Sequence, residues 1–94
     1  MADQASISTD ILARYAGDAA REVPGVRGLA KRKPVRVEQG EDVRLELHLA
    51  VDWGASIPEV GRGVQERVRE YLLSMADVSP AVVDVVVDEI GPLR

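Results

Sequence analysis

The most constraining feature of this sequence is a nine-residue stretch, 43–51, in which apolar and polar side chains alternate almost without interruption. The apolar series is Val43, Leu45, Leu47, Leu49 and Val51. Successive side chains of an extended chain point to opposite sides, so this series shares one side and the residues between it share the other. A period of two over this length predicts a strand with one buried and one solvated face.

Two helices and two further strands are predicted around this strand. The first helix spans Ser8 to Glu22 and ends at Pro24-Gly25; its apolar face is Ile11, Leu12, Tyr15, Ala16, Ala19 and Ala20. A capping box, Ser56-Ile57-Pro58-Glu59, starts the second helix, which runs to about Met75 or Ala76. Its apolar stripe is Ile57, Val60, Val64, Val68, Tyr71, Leu72 and Met75. Val35–Glu38 forms a hairpin with 43–51, and Ala81–Ile90 is the last strand.

These elements predict an α+β two-layer sandwich, because each of them has a single apolar face to bury. We expect two helices on one face of a small mixed sheet of three or four strands, in the order α-β-β-α-β. Short strands around Ile7 and near Val26 would extend that order. A crossover through the second helix makes the last strand parallel to 43–51. The 94 residues fit one domain, 1–94, with its core at about 6–90.

Composition excludes several classes of function. The chain has no cysteine, which removes disulfides and thiolate chemistry and is compatible with the cytoplasm. No apolar run approaches the ~20 residues that cross a bilayer, so we expect no transmembrane segment and no secretion signal. The net charge of −4 argues against nonspecific nucleic-acid binding, which depends on Lys and Arg contacts to phosphate.

No residue pattern predicts catalysis, a cofactor or a metal. Gly54-Ala55-Ser56 superficially resembles a nucleophile elbow, but Pro58 replaces its second glycine and no histidine follows. Phosphate-binding and dinucleotide-binding loops are missing from the sequence. His48 is the single histidine, and without cysteine only carboxylates would complete a zinc shell. We therefore expect a protein that is not an enzyme.

Two surfaces are candidates for contact with partners. The first is a basic loop, Arg27, Lys31, Arg32, Lys33 and Arg36, which is either a solvated loop or a contact for an anionic protein, lipid headgroups or RNA. The second is the outer sheet face, comprising Arg44, Glu46, His48, Val82, Asp84, Val86 and Asp88. This face carries more apolar surface than solvent exposure requires, so either the N-terminus around Ile7 or another subunit covers it. Edge strands offer further pairing between chains.

Trp53 follows the long strand directly. It either anchors a partner or lies partly buried over the core.

The sequence resembles the alkaline shock protein (general stress, envelope stress response) family of Gram-positive bacteria over roughly Ser6 to Ile90. The matching segments are Ala19–Val26, Val51–Gly54, Ile57–Val60, Val64–Val68 and the valine-rich Val82–Val87. Trp53 departs from the tyrosine that is more frequent in the family, and Gly61 and Gly63 interrupt a helix that is usually richer in helix formers.

The resemblance implies a non-enzymatic cytoplasmic protein that associates with itself and serves tolerance of envelope and alkaline stress. In some members a small integral-membrane partner tethers the protein to the inner face of the membrane. We therefore expect a homo-oligomer. The alternative is a small RNA-binding domain of K-homology outline, based on the basic loop and the two-layer architecture; the absence of aromatic residues from the loop weighs against it.

Overall fold

Six elements build the part of the chain that the structure, a computed structural model, describes, which is residues 7–92. In chain order they are α1 (Thr9–Arg21), β1 (Val26–Leu29), β2 (Val35–Gln39), β3 (Val43–Val51), α2 (Ile57–Ala76) and β4 (Val82–Ile90). The predicted α+β class is confirmed, with both helices packed against the sheet. The structure adds β1 near Val26, so the order is α-β-β-β-α-β.

Side-chain caps set the starts of both helices, and the one at Ser56 is the cap that the sequence predicts. The Ser8 hydroxyl accepts a hydrogen bond from the Ile11 amide at 3.1 Å, and the Ser56 hydroxyl accepts one from the Glu59 amide at 3.4 Å. Each bond satisfies one of the backbone donors that the first helical turn leaves unpaired. Ser56 is therefore a helix cap in this fold.

The sheet is organised around β3, which has neighbours on both edges. β4 runs parallel to it and pairs along residues 44–51. β2 pairs antiparallel with residues 43–47, and β1 pairs antiparallel with residues 49–51. Because β4 occupies one edge along nearly the whole strand, β1 and β2 share the other edge. The parallel pairing confirms the predicted crossover through α2.

A single aliphatic core lies between the helices and the sheet. It consists of Leu12, Ala16, Ala19, Ala20, Val23, Leu45, Leu47, Leu49, Val51, Val60, Val64, Val68, Leu72 and Val83. At the helix–helix seam the rings of Tyr15 and Tyr71 meet edge to face at 5.9 Å, and Arg67 binds Glu22 at 2.7 Å. The predicted apolar faces of both helices thus supply the core.

Three residues of those predicted helix faces are exposed instead of buried. Ile11 is 43% exposed, Ile57 is 40% exposed and Met75 is 50% exposed. All three belong to the first or last turn of a helix. A helical period identifies the side on which a residue lies, but it does not show whether the sheet extends beneath the helix end.

Ile7 does not form the strand that the sequence left open. Its side chain packs against the core, and its carbonyl accepts a hydrogen bond from Gln39 Nε2 at 3.0 Å. Since the core lies on the helix side of the sheet, Ile7 does not cover the opposite face. Of the two alternatives for covering this face, the N-terminal one does not hold for Ile7, and residues 1–6 lie outside the described part.

Candidate interaction surface

The side of the sheet that faces away from both helices is the candidate site, and we call it the open face. Alternation along β3 creates it: Leu45, Leu47 and Leu49 are buried on the helix side, while Arg44 is exposed and Glu46 and His48 are half-buried. The parallel register sets Val82 beside Arg44, Asp84 beside Glu46, and Val86 beside His48. All seven residues of the predicted outer face, Arg44, Glu46, His48, Val82, Asp84, Val86 and Asp88, are brought together by this register and by side-chain contacts.

The apolar part of the open face comes from β4. Val82 is half-buried and Val86 is 36% exposed, and both alternate with carboxylates along the strand. No described helix lies over these residues, because the helices pack on the other side of β3 and β4. The open face therefore combines exposed aliphatic surface with charge.

A histidine bridged by two carboxylates lies at the middle of the open face. His48 Nε2 is 2.7 Å from Glu46 Oε2, and His48 Nδ1 is 3.1 Å from both carboxylate oxygens of Asp88. Arg36 Nη1 lies 3.7 Å from the other oxygen of Glu46. The hydrogen bond to Asp88, and next that to Glu46, raises the pKa of His48 above its ordinary value of 6.5, because both carboxylates favour the protonated ring.

Sequence reasoning missed the relation between β1 and β2. The Ala30 amide donates to the His48 carbonyl, and the His48 amide donates to the Pro34 carbonyl. Residues 30 and 34 thus lie opposite the same position of β3, and β1 and β2 form one edge strand that is interrupted there. The interruption is the excursion Lys31-Arg32-Lys33, in which Lys33 takes a positive φ of 42°.

This excursion brings part of the predicted basic loop to the open face. Arg32, Lys33 and Arg36 line an open hollow of about 580 Å³ together with Val35, Glu46, His48 and Asp88. The basic loop and the outer sheet face are predicted from the sequence as two separate surfaces. In the structure they meet beside His48. No sequence pattern reveals this, because it depends on the backbone pairing of Ala30 and Pro34 with the same residue of β3.

The remaining basic residues lie elsewhere. The Arg27 side chain packs beside Gly91, at the end of β4, and Lys31 is exposed outside the hollow. The five predicted basic residues are therefore not one cluster. Only three of them share the hollow with the histidine.

Trp53 lies in the connection between β3 and α2, and 58% of it is exposed. The expectation of partial burial over the core is wrong: Trp53 directly precedes the turn at Gly54, which has a φ of 89°, and does not pack against the core cluster. Its exposure is compatible with the alternative role as an anchor.

The described residues contain neither a cluster of metal ligands nor a helix that could span a membrane. Both ring nitrogens of His48 contact carboxylates, one on each side of the ring. Within residues 7–92 no group of three or more histidine and carboxylate side chains is arranged to hold a metal ion. Neither helix of this range combines the length and hydrophobicity that crossing a membrane requires.

The fold and the surface define a class of small α+β domain in which helices cover one face of a mixed sheet and the other face is open, charged and partly apolar. The chain belongs to the alkaline shock protein 23 family, whose function is described as cell envelope-related. The family model matches residues 30–92. The resemblance drawn from the sequence is thereby confirmed.

Two proteins of Bacillus subtilis (strain 168) are related in sequence. YqhY is 33% identical, and the match covers 78% of this chain and 66% of YqhY. This chain thus spans slightly less than two thirds of that relative. YloU is 25% identical, with 70% of each chain covered.

Solved structures of the MamM CTD have the same fold. A variant in its manganese form superposes with a TM-score of 0.65 at 22% identity, covering 87% of this chain and 99% of that chain. A second variant gives a TM-score of 0.69 at 21% identity, covering 88% and 84%. At this level of identity the likeness establishes the fold alone.

Proposed function

We propose that this chain is a non-enzymatic binding module of the envelope stress response that acts by associating with further copies of itself through the open face. The observation that carries the proposal is the mixture of aliphatic and charged side chains on a sheet face that no described element covers. Val82 and Val86 supply the apolar part. Burial of such surface drives association, while the surrounding charges select the partner.

A non-catalytic role is supported by how the reactive groups are occupied. The Ser56 hydroxyl caps α2, and His48 is held between Glu46 and Asp88; among residues 7–92 no hydroxyl is hydrogen-bonded to its ring. A general base needs a free nitrogen within hydrogen-bond reach of the proton it removes. The cluster is better suited to setting the charge of a contact surface.

The proposal further locates the module in the cytoplasm at the inner face of the membrane, held there by a small integral-membrane partner; the family's cell envelope-related function supports this part. Crosslinking in cells followed by fractionation is expected to recover the chain together with one such protein. Recovery from the soluble fraction alone would remove this part of the proposal and leave self-association standing.

RNA binding is less well supported. The hollow that holds Arg32, Lys33 and Arg36 also contains the carboxylates of Glu46 and Asp88, which repel phosphate. The exposed aromatic residue, Trp53, follows β3 and does not line that hollow. A gel shift that is steeply salt-dependent and lost on neutralising Lys31, Arg32 and Lys33 would favour RNA instead.

Light scattering after size exclusion tests self-association. At micromolar concentration the protein is expected to exceed the monomer mass, and Val82→Lys combined with Val86→Lys is expected to lower that mass. Leu73→Lys is the matched control, because Leu73 is an exposed aliphatic residue of α2, 53% exposed, and lies away from the open face. A strictly monomeric wild-type protein contradicts the proposal.

A further inference from the structure

The open face has opposite charges on its two sides. The β1–β2 side carries Arg32, Lys33 and Arg36, and we call these three residues the basic column. The β4 side carries Asp84 and Asp88, which we call the acidic column, with Val82 and Val86 between and beside them. Glu38, at the far end of β2 opposite Arg44, is an acidic residue on the basic side. The sheet register fixes this separation, because β3 holds the two columns apart.

The edges of the sheet are poorly suited to pairing with another chain. The β1–β2 edge is interrupted by the excursion at Lys31–Lys33, and both bulges and lysines protect edges from strand addition. In a symmetric antiparallel pairing of two β4 strands about Val86, Asp84 of each copy would oppose Asp88 of the other. Like charges directly opposite each other destabilise such a pair. These features favour contact through the face over contact through an edge.

We infer that the occupant of the open face is a second copy of this chain, stacked face to face so that the acidic column of each copy lies over the basic column of the other. The inference rests on the proposed function, since it specifies how self-association is arranged. Its basis is charge complementarity. The two copies are related by a rotation of 180° about an axis that lies between the sheets and runs parallel to β3. This rotation turns the open faces toward each other and sets the β4 side of each copy over the β1–β2 side of the other.

Three residues that lie side by side across the sheet show what this symmetry implies, and we call them the Glu46 row. Glu46 of β3 has Arg36 of β2 on one side and Asp84 of β4 on the other. After the rotation, Arg36 of each copy lies across from Asp84 of the other, so the contact contains two equivalent pairs, as a two-fold interface requires. A two-fold axis perpendicular to the strands, but still in the plane between the sheets, would instead stack basic on basic and acidic on acidic.

The centre of the face tolerates this stacking because its carboxylates already have partners. Glu46 contacts His48 at 2.7 Å and Arg36 at 3.7 Å. Asp88 contacts His48 at 3.1 Å. Val82 and Val86 lie beside these groups and become buried when two sheets pack at about 10 Å. The interface thus has an aliphatic part and a charge pattern that specifies the orientation.

Two charge reversals in the same row test the arrangement. Arg36→Glu makes both sides of the row acidic, and Asp84→Lys makes both sides basic. Each variant alone is expected to self-associate at least about tenfold more weakly, because its own symmetric dimer contains two repulsive pairs. An equimolar mixture is expected to regain wild-type affinity as a mixed dimer, in which both pairs are attractive again. Native mass spectrometry separates the three dimers by mass.

The control is Arg69→Glu, a charge reversal at an exposed position of α2, which should leave self-association unchanged and, when mixed with Asp84→Lys, should not restore wild-type affinity to that variant. Circular dichroism checks that every variant is folded; if a reversal unfolds the chain, Arg36→Gln and Asp84→Asn replace the pair and should each weaken the dimer by a smaller factor. A wild-type monomer would overturn the proposed function itself. A wild-type dimer that Arg36→Glu does not weaken, or a mixture without mixed dimers, would overturn only this arrangement.

Discussion

The two faces of this sheet are made from the same strands but have different physical roles. On the helix side Leu45, Leu47 and Leu49 are at most 2% exposed and belong to the buried aliphatic core. On the open face Glu46 and His48, which alternate with them, are hydrogen-bonded to each other, and His48 is also hydrogen-bonded to Asp88 of β4. The difference teaches that burial in the core occupies the helix side of the sheet completely and leaves the open face available for the contact we propose.

The largest expected effect comes from comparing two truncations, Leu47→Ala on the helix side and Val86→Ala on the open face. Leu47 is 0% exposed, so its truncation removes buried methyl groups and leaves a cavity; the free energy of unfolding is expected to fall by about 2–5 kcal/mol. Val86 is 36% exposed, and its truncation is expected to cost under about 1 kcal/mol in the monomer. Urea denaturation at a fixed low protein concentration measures both.

Equal losses for the two variants would contradict the division between the faces. A loss at Val86 that grows with protein concentration would instead sharpen it, because the missing methyl groups would then be stabilising an assembly.

Much of the fold follows from short-range patterns in the sequence. β3 matches its predicted bounds because nine residues alternate, and Ser56 caps α2 as its capping box predicts. The sequence indicates β1 only weakly, since this strand has four residues and includes Gly28. In the structure its pairing is irregular, with a bulge between Val26 and Gly28. Its pairing depends on contacts with residues far along the chain, which local propensity does not encode.

The candidate site was predictable to a similar depth. The alternation of side chains along β3 and β4 predicts that His48, Glu46 and Asp88 lie on one face. In the structure His48 contacts both carboxylates. The position of Arg32 and Lys33 beside His48 was not predictable, because it depends on where the edge strand is interrupted relative to β3. Registers between strands are set by tertiary packing, so a sequence identifies the face more readily than its neighbours.

A second pair of substitutions probes packing on the covered side, with a smaller expected effect. Gly61 and Gly63 both lie in α2, where alanine is favoured by about 1 kcal/mol over glycine. A Cβ on Gly61 would meet no atom within 4 Å, whereas one on Gly63 would lie 3.0 Å from Val23 Cγ1. Gly61→Ala is therefore expected to raise the free energy of unfolding by about 1 kcal/mol. Gly63→Ala should gain less or lose stability.

Thermal unfolding of the two variants and the wild type makes the comparison. Equal stabilisation at both positions would mean that the seam between α2 and the end of α1 has room to adjust.

The smallest expected effect is the pH dependence contributed by the open face. The charged groups that face His48 come from its own strand, from the β1–β2 side and from β4; they are Glu46, Arg32, Lys33, Arg36, Asp84 and Asp88. Hydrogen bonds to Asp88 and Glu46 raise the pKa of folded His48 above 6.5, its ordinary value. Protonated His48 therefore stabilises the fold fully below that value, and this contribution is lost as pH rises through the raised pKa.

His48→Gln removes the titrating group, so the difference in unfolding free energy between wild type and variant should be largest near about pH 6 and should shrink by about pH 9. The effect is small because the ring and both carboxylates remain partly exposed to solvent, which screens their charges. Asp88→Asn serves as the second comparison, since it deletes the partner with the largest influence on His48 and should reduce the same pH dependence. A difference between wild type and His48→Gln that stays constant over this range would show that folding does not shift the pKa of His48, and the hydrogen bonds to Asp88 and Glu46 would then not favour the protonated ring.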